Sequence, residues 1–145
     1  YPHPISVLGN TSELLARQKM RDVDFDCEDF SAAFIRFDNG STLYLAASWD
    51  GHQPEPSELT MNLYGQNGAV FERDGGVTFC TARTGEPETR ELEEKKPEEL
   101  PQEHFVNCVL SGEQPGPSAE HGVVVMKILD AIYESARTGG EVRID

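Results

Sequence analysis

Residues 118–137, SAEHGVVVMKILDAIYESAR, constrain the fold of this chain more than any other stretch. Val125, Leu129, Ile132 and Ala136 recur at the spacing of one helix face. Val124, Ile128 and Ala131 widen that stripe, and Val123, Met126 and Tyr133 widen it further. So broad an apolar stripe predicts a helix buried along most of its length. Ser118 suits the N-cap, where its hydroxyl can accept one of the orphan N–H groups of the first turn. Glu120 and Arg137 put charges of favourable sign at the two ends of the helix dipole. Gly139 can take the left-handed conformation that closes a helix. Each fully buried Val, Leu or Ile then contributes about 1.5–3 kcal/mol, and Leu129→Ala is expected to cost about 2–5 kcal/mol. The rest of the chain must furnish a surface for this helix.

That surface reads as short strands. DFSAAFIRF (29–37) and TLYLAASW (42–49) flank Asp38-Asn39-Gly40-Ser41, and Asn-Gly between two β-rich runs is a strong hairpin signal. One side of the first strand carries Phe30, Ala32 and Phe34, the other Ala33, Ile35 and Phe37. Neither side is polar, so both faces of the sheet need a cover, one being the long helix and the other a second subunit. Ile5, Val7 and Leu8 predict a short strand that Gly9-Asn10 turns. Residues 12–20 fit a helical turn or a strand equally well. After a Gly/Pro loop at 51–57, strands are predicted at 59–64, 69–72, 77–81 and 89–92, with turns at 65–68, 74–76 and 84–87. A charged crossing segment, 93–103, leads into a short helix over 102–110, and EVRI (141–144) closes the chain as a strand. Strands first and helices later predict an α+β fold: a mostly antiparallel open sheet with helices on one face.

Composition narrows the function. The 145 residues suit a single domain, 1–145, with a core that needs neither disulfide nor metal. The chain opens on Tyr1 rather than Met, as a piece of a longer protein would. A net charge of −14 opposes phosphate-backbone binding, so no nucleic-acid partner is expected. No apolar run is long enough to span a bilayer and no signal-peptide pattern is present, so a soluble, cytoplasmic protein without membrane contact is expected. Cys27, Cys80 and Cys108 are odd in number, widely spaced and without a CxxC, and read as buried thiols rather than a zinc or redox site.

The chemistry-bearing residues are few. There is no GxGxxG, P-loop or GxSxG. The Gly65–Gly68 stretch has no following helix to supply a dipole, and reads as a hairpin turn. The four histidines form no metal pattern with carboxylates. His121 lies in a first turn, where capping is its plain role, while His104, near the start of the short helix, is a candidate for a substrate-side cleft. Glu28 and Asp29 are adjacent on a strand and point to opposite faces, which suits a strand-start or interface role better than a shared acid–base site. Trp49 ends a strand beside the Gly/Pro loop; core is its default reading, and a pocket rim on the substrate side is the functional one.

These pieces together resemble the C-terminal domain of the Gfo/Idh/MocA oxidoreductases. The residues that carry the resemblance are Glu28-Asp29-Phe30, Phe37-Asp38-Asn39-Gly40-Ser41, Ala47-Ser48-Trp49, Leu63-Tyr64-Gly65 with Gly68, His104-Phe105-Val106 with Gly112 and Pro115, and the tail from Glu120-His121-Gly122 through Ala136, closed by Thr138-Gly139 and Val142. Their order and spacing, from about Pro4 to Ile144, are more specific than any single piece. The resemblance implies a two-domain parent whose other half, absent here, is an N-terminal Rossmann domain holding NAD or NADP. It also implies a sheet that mediates homo-oligomer contacts, with Phe34, Tyr44 and Met61 as interface candidates. The family's Gly-rich fingerprint, its Glu-Lys-Pro motif and its proton-transfer His have no counterpart here. Glu94-Lys95-Lys96-Pro97 looks similar to the second, but sits in a charged loop after no buried strand. No catalytic, cofactor-binding or metal residue is therefore carried over.

The expectation is the substrate-side and oligomerisation domain of an NAD(P)-dependent oxidoreductase acting on a sugar or polyol, inactive and without cofactor as a separate fragment. An assembly module that pairs subunits without catalysis is the alternative. A free-standing small-ligand binding domain is a third, weaker one.

Overall fold

A computed structural model describes residues 1–13, 27–49, 59–73, 76–81, 88–92 and 99–145. In chain order the elements are β1 (Pro4–Ser12), β2 (Phe30–Phe37), β3 (Thr42–Ser48), β4 (Thr60–Gly65), β5 (Gly68–Arg73), β6 (Gly76–Thr81), β7 (Glu88–Leu92), α1 (Pro101–Ser111), α2 (Ala119–Thr138) and β8 (Val142–Arg143). All strand pairs are antiparallel, and with the two helices they make the predicted α+β fold. The strands form two four-stranded sheets, β3-β2-β1-β8 and β4-β5-β6-β7. The chain divides into two compact units, Tyr1–His52 with Cys108–Asp145, and Gln53–Asn107. The expected loop at 51–57, the turns at 74–75 and 84–87, the charged residues 93–98 and most of 12–20 lie outside the described residues.

In the first unit α2 packs on one face of the sheet. Val7, Ala33 and Ile35 meet Ala131 and Ile132 in a buried cluster, flanked by Phe37, Ile128, Val142 and Ile144. The hairpin expected around Asn39-Gly40 is present. Phe34 pairs with Tyr44 and Ile35 with Leu43, and the Gly40 N–H donates to the Phe37 carbonyl at 3.0 Å. Asn39 Oδ1 accepts from both the N–H and the hydroxyl of Ser41, at 3.0 and 2.7 Å.

Two expectations are corrected here. β1 does not turn at Gly9-Asn10 but runs through to Ser12, pairing Gly9 with Ala33 and Asn10 with Ala32. Gly9 is present for close packing: a Cβ there would lie 3.1 Å from Ile132 Cγ2 and 3.4 Å from Ile132 Cα. The second correction concerns α2, which is not buried along most of its length. Only Ala131, Ile132 and Ser135 are buried, while Val123, Val125 and Met126 are more than half exposed. Twenty helical residues span about 30 Å, but the strip of β1 from Ile5 to Gly9 that faces them spans about 16 Å. The helix outruns that strip. Leu129 is 37 % exposed and Ile132 only 2 %, so the heavy truncation cost belongs to Ile132 rather than Leu129.

The ends of α2 follow the sequence reading closely. Ser118 is the N-cap, with extended backbone, and its N–H donates to His121 Nδ1 at 3.2 Å. His121 thus takes the capping role. The Ser118 hydroxyl donates to Glu120 at 2.6 Å and holds that carboxyl below its ordinary range. Gly139, at φ 72°, closes the helix, its N–H donating to the Ser135 carbonyl at 2.8 Å.

The second unit contains the β4–β7 meander. Met61, Leu63, Val70, Val77 and Phe79 share one face by register, and Tyr64 and Phe71 share the other, their rings edge to face at 5.6 Å. Of the three cysteines only Cys108 is buried; Cys27 is exposed and Cys80 half-buried, so the expectation of three buried thiols is corrected. Among the described residues no helix is long and apolar enough to cross a membrane.

Candidate functional site

The face of the first sheet turned away from α2 is set by register. Val7, Gly9, Ala33 and Ile35 point toward the helix, so their neighbours Leu8, Ala32 and Phe34 point away, and cross-strand pairing adds Tyr44 and Ala46. Phe34 is 46 % exposed and Tyr44 69 %. Leu8 and Phe30 are exposed beside them. An open hollow of about 420 Å³ is lined by Leu8, Asn10, Phe34 and Tyr44 of this face together with Gly9, Ala33 and, from α2, Ser135 and Ala136. Contiguous exposed apolar surface of this kind marks a contact site more often than chance exposure does. Two of the predicted interface residues, Phe34 and Tyr44, are thus directly paired. Met61, the third, is exposed on β4 in the second sheet.

The two substrate-side candidates fall in different compact units. Trp49 is 57 % exposed, which corrects the default core reading. Its indole N–H donates to the Glu28 carbonyl at 2.8 Å, and its backbone N–H donates to the Asp29 carbonyl at 3.2 Å. Asp29 is buried, and its N–H donates to the Ser12 carbonyl at 2.8 Å, while the Ser48 hydroxyl donates to its carbonyl at 2.9 Å. Glu28 and Asp29 therefore start β2 and bind its neighbours. From α2 the Tyr133 hydroxyl reaches Glu28 Oε1 at 2.7 Å, and this bond to a carboxylate pushes the phenol pKa up. Sequence reading missed this link, because residues 105 apart on a strand start and a helix give no periodic signal.

His104 lies on α1, half-buried, with Nδ1 against Glu99 Oε1 at 2.5 Å. Asn107 Nδ2 donates to the other Glu99 oxygen at 2.8 Å. The contacts with His104 and then Asn107 hold the Glu99 carboxyl below its ordinary range. The Leu100 N–H donates to Glu103 Oε2 at 3.0 Å, so the acids at this end also cap the helix. Among the described residues no group of three or more His, Cys, Asp or Glu side chains is placed to hold a metal.

An antiparallel sheet with α2 on one face and exposed apolar side chains on the other, beside a second antiparallel sheet, defines an α+β fold. The family follows from comparison. Residues 3–144 match the model of the C-terminal alpha/beta domain of the Gfo/Idh/MocA oxidoreductase family, and the chain belongs to that family. It is 29 % identical over 116 residues to D-xylose 1-dehydrogenase (NADP(+)) 2 of Haloferax volcanii, a match covering 77 % of this chain and 35 % of that protein. Its fold is that of an oxidoreductase domain protein from Kribbella flavida, with a TM-score of 0.80 at 14 % identity, over 99 % of this chain and 46 % of that one. Levoglucosan dehydrogenase, solved with NADH and levoglucosan, matches with a TM-score of 0.80 at 19 % identity, over 98 % of this chain and 45 % of the other. The chain thus spans about a third of the length of the curated relative and under half of these solved chains.

Proposed function

We propose that this chain is the substrate-side and oligomerisation half of an NAD(P)-dependent oxidoreductase that acts, in the cytoplasm, on a sugar or polyol. The observation that carries the reading is the family match over residues 3–144 together with the kinship to a D-xylose dehydrogenase. In this reading 1–145 is one functional domain, and its parent moves hydride between nicotinamide and a hydroxyl-bearing carbon. A dinucleotide cradle of the Rossmann type is built on parallel strands with a Gly-rich turn into a helix. The strand pairs described here are all antiparallel, so the described residues do not form such a cradle, and no chemical step is assigned to them. This chain's part is to bind and to assemble, with the face around Phe34 and Tyr44 for subunits, and His104 and Trp49 on the substrate side.

Fluorescence titration of the chain with NADH and NADPH tests the division of labour. No saturation is expected in the micromolar range, and micromolar binding would overturn it. The sequence of the parent upstream of Tyr1 tests the enzyme reading. A Gly-rich fingerprint with the family's Lys and His is expected; their absence would leave an assembly module, a reading that the exposed face around Phe34 and Tyr44 favours.

A further inference from the structure

We infer that Asn39 is a self-modification site, at which the Gly40 backbone nitrogen displaces ammonia from the side chain and leaves aspartate or isoaspartate in the β2–β3 turn. The Gly40 amide gives up its proton to water and attacks Asn39 Cγ, forming a new C–N bond. The bond from Cγ to the side-chain nitrogen then breaks, and that nitrogen leaves, protonated, as ammonia. Water opens the cyclic imide at either carbonyl. One amide is exchanged for one carboxyl, and no oxidant or reductant takes part.

Asn-Gly occurs twice in the chain, at 39–40 and at 67–68, and the two copies sit in different surroundings. Asn39, Gly40 and Ser41 are all exposed, and a Cβ built on Gly40 would meet nothing within 4 Å. Water therefore reaches the nucleophile and, later, the imide. Asn39 Oδ1 accepts from the Ser41 N–H at 3.0 Å and from the Ser41 hydroxyl at 2.7 Å. The first of these bonds closes a ring that contains both Cγ and the Gly40 nitrogen, which narrows the search for the attack geometry. Both donors also point at the oxygen on which negative charge develops as the nitrogen adds, as in an oxyanion hole. The opposing cost is one hydrogen bond at the rim of the turn, from the Gly40 N–H to the Phe37 carbonyl at 3.0 Å. Gly68, by contrast, is wedged. A Cβ there would lie 2.5 Å from the Cys80 carbonyl oxygen and 3.0 Å from Phe79 Cζ. Gly68 pairs with Gly65 across the β4–β5 hairpin, and the Asn67 carbonyl accepts the Thr81 hydroxyl at 3.0 Å. Contacts from β6 thus pin the backbone that must rotate, and Asn67 is the protected copy. The lesion at Asn39 has a structural consequence. Isoaspartate routes the main chain through the side chain and adds a methylene between Phe37 and Ser41, whose pairing (Phe37 N–H to Ser41 carbonyl, 3.0 Å) starts β3 in register.

The test is to hold the chain at mildly alkaline pH for days and map its peptides by mass spectrometry. An isoaspartate-specific methyltransferase with a labelled methyl donor marks the rearranged product. In the folded chain Asn39 is expected to convert at least about tenfold faster than Asn67. In urea, where the local sequence alone remains, the two should convert at comparable rates. Ser41→Ala, which keeps the N–H and loses the hydroxyl donor, should slow Asn39 about fivefold. Ser41→Thr, which retains a hydroxyl, should keep the wild-type rate, with circular dichroism confirming the fold of both variants. Conversion of Asn67 as fast as Asn39 in the folded chain, a preference for Asn39 that persists in urea, or a Ser41→Ala rate equal to or above wild type would overturn the inference.

Discussion

Ser135 shows how much a single side chain settles. It is buried, and its hydroxyl accepts from the Gly9 N–H at 2.9 Å and donates to the Gly140 carbonyl at 2.6 Å. β8 pairs with β1 only at Ser6 and Val7, so the β1 edge beyond them lacks a strand, and Ser135 supplies the missing acceptor. Ser135→Ala leaves a part-buried donor and an acceptor unmet, which costs about 1–3 kcal/mol. Urea unfolding followed by circular dichroism should show that loss; a midpoint equal to wild type would mean that water replaces the hydroxyl. The apolar stripe of the long helix was legible from its period, but a serine within it reads as a neutral filler. Its neighbour Gly9 was misread for a related reason. In one dimension a glycine before asparagine signals a turn, and only the approach of Ile132 reveals a packing glycine.

At the level of elements, the helix termini carry the electrostatics. Glu120 at the start of α2 is held below its ordinary pKa, first by the Ser118 hydroxyl and then by backbone hydrogen bonding. Glu99 before α1 and Glu134 beside Arg137 are lowered too. A depressed carboxyl contributes stability above its unfolded pKa of about 4.3, and loses that contribution as pH falls through the lower folded value. All three are exposed, so each effect is small. Glu120→Gln should therefore be less stable than wild type near neutral pH, and the gap should close as the carboxylate range is crossed downward. Thermal melts across that range check the sign, and a gap that widens in acid would refute it. Helix and strand existence was legible because period, Asn-Gly and Gly-Pro punctuation are local signals. Burial was not. The expected burial of α2 rested on counting apolar residues, and the sheet that faces the helix proved shorter than the helix. The Phe30/Phe34 side of β2 was legible by alternation alone, and it became the candidate contact face.

For the molecule as a whole, that face calls for a cover. Leu8, Phe30, Phe34 and Tyr44 leave an apolar surface in water, and burying it against a second copy would recover about 25 cal/mol for each Å² of apolar area. The same side chains contribute less to the fold of one chain than the core does, which lies on the opposite side, between Val7, Ile35 and Ile132. A charge placed there should thus separate assembly from stability. Tyr44→Asp is expected to shift stability by about 0.5 kcal/mol and Phe34→Asp, more than half buried, by about 1–2 kcal/mol, both lowering the mass seen by light scattering while the chain stays folded. Wild type should scatter as a multiple of the 16.1 kDa chain at tens of micromolar, on the order of the concentrations at which standard-size interfaces persist. Met61→Asp, on the second sheet, serves as the comparison: dissociation by Met61→Asp and not by Phe34→Asp would move the interface to β4. A wild-type mass of 16.1 kDa under those conditions would end the assembly reading.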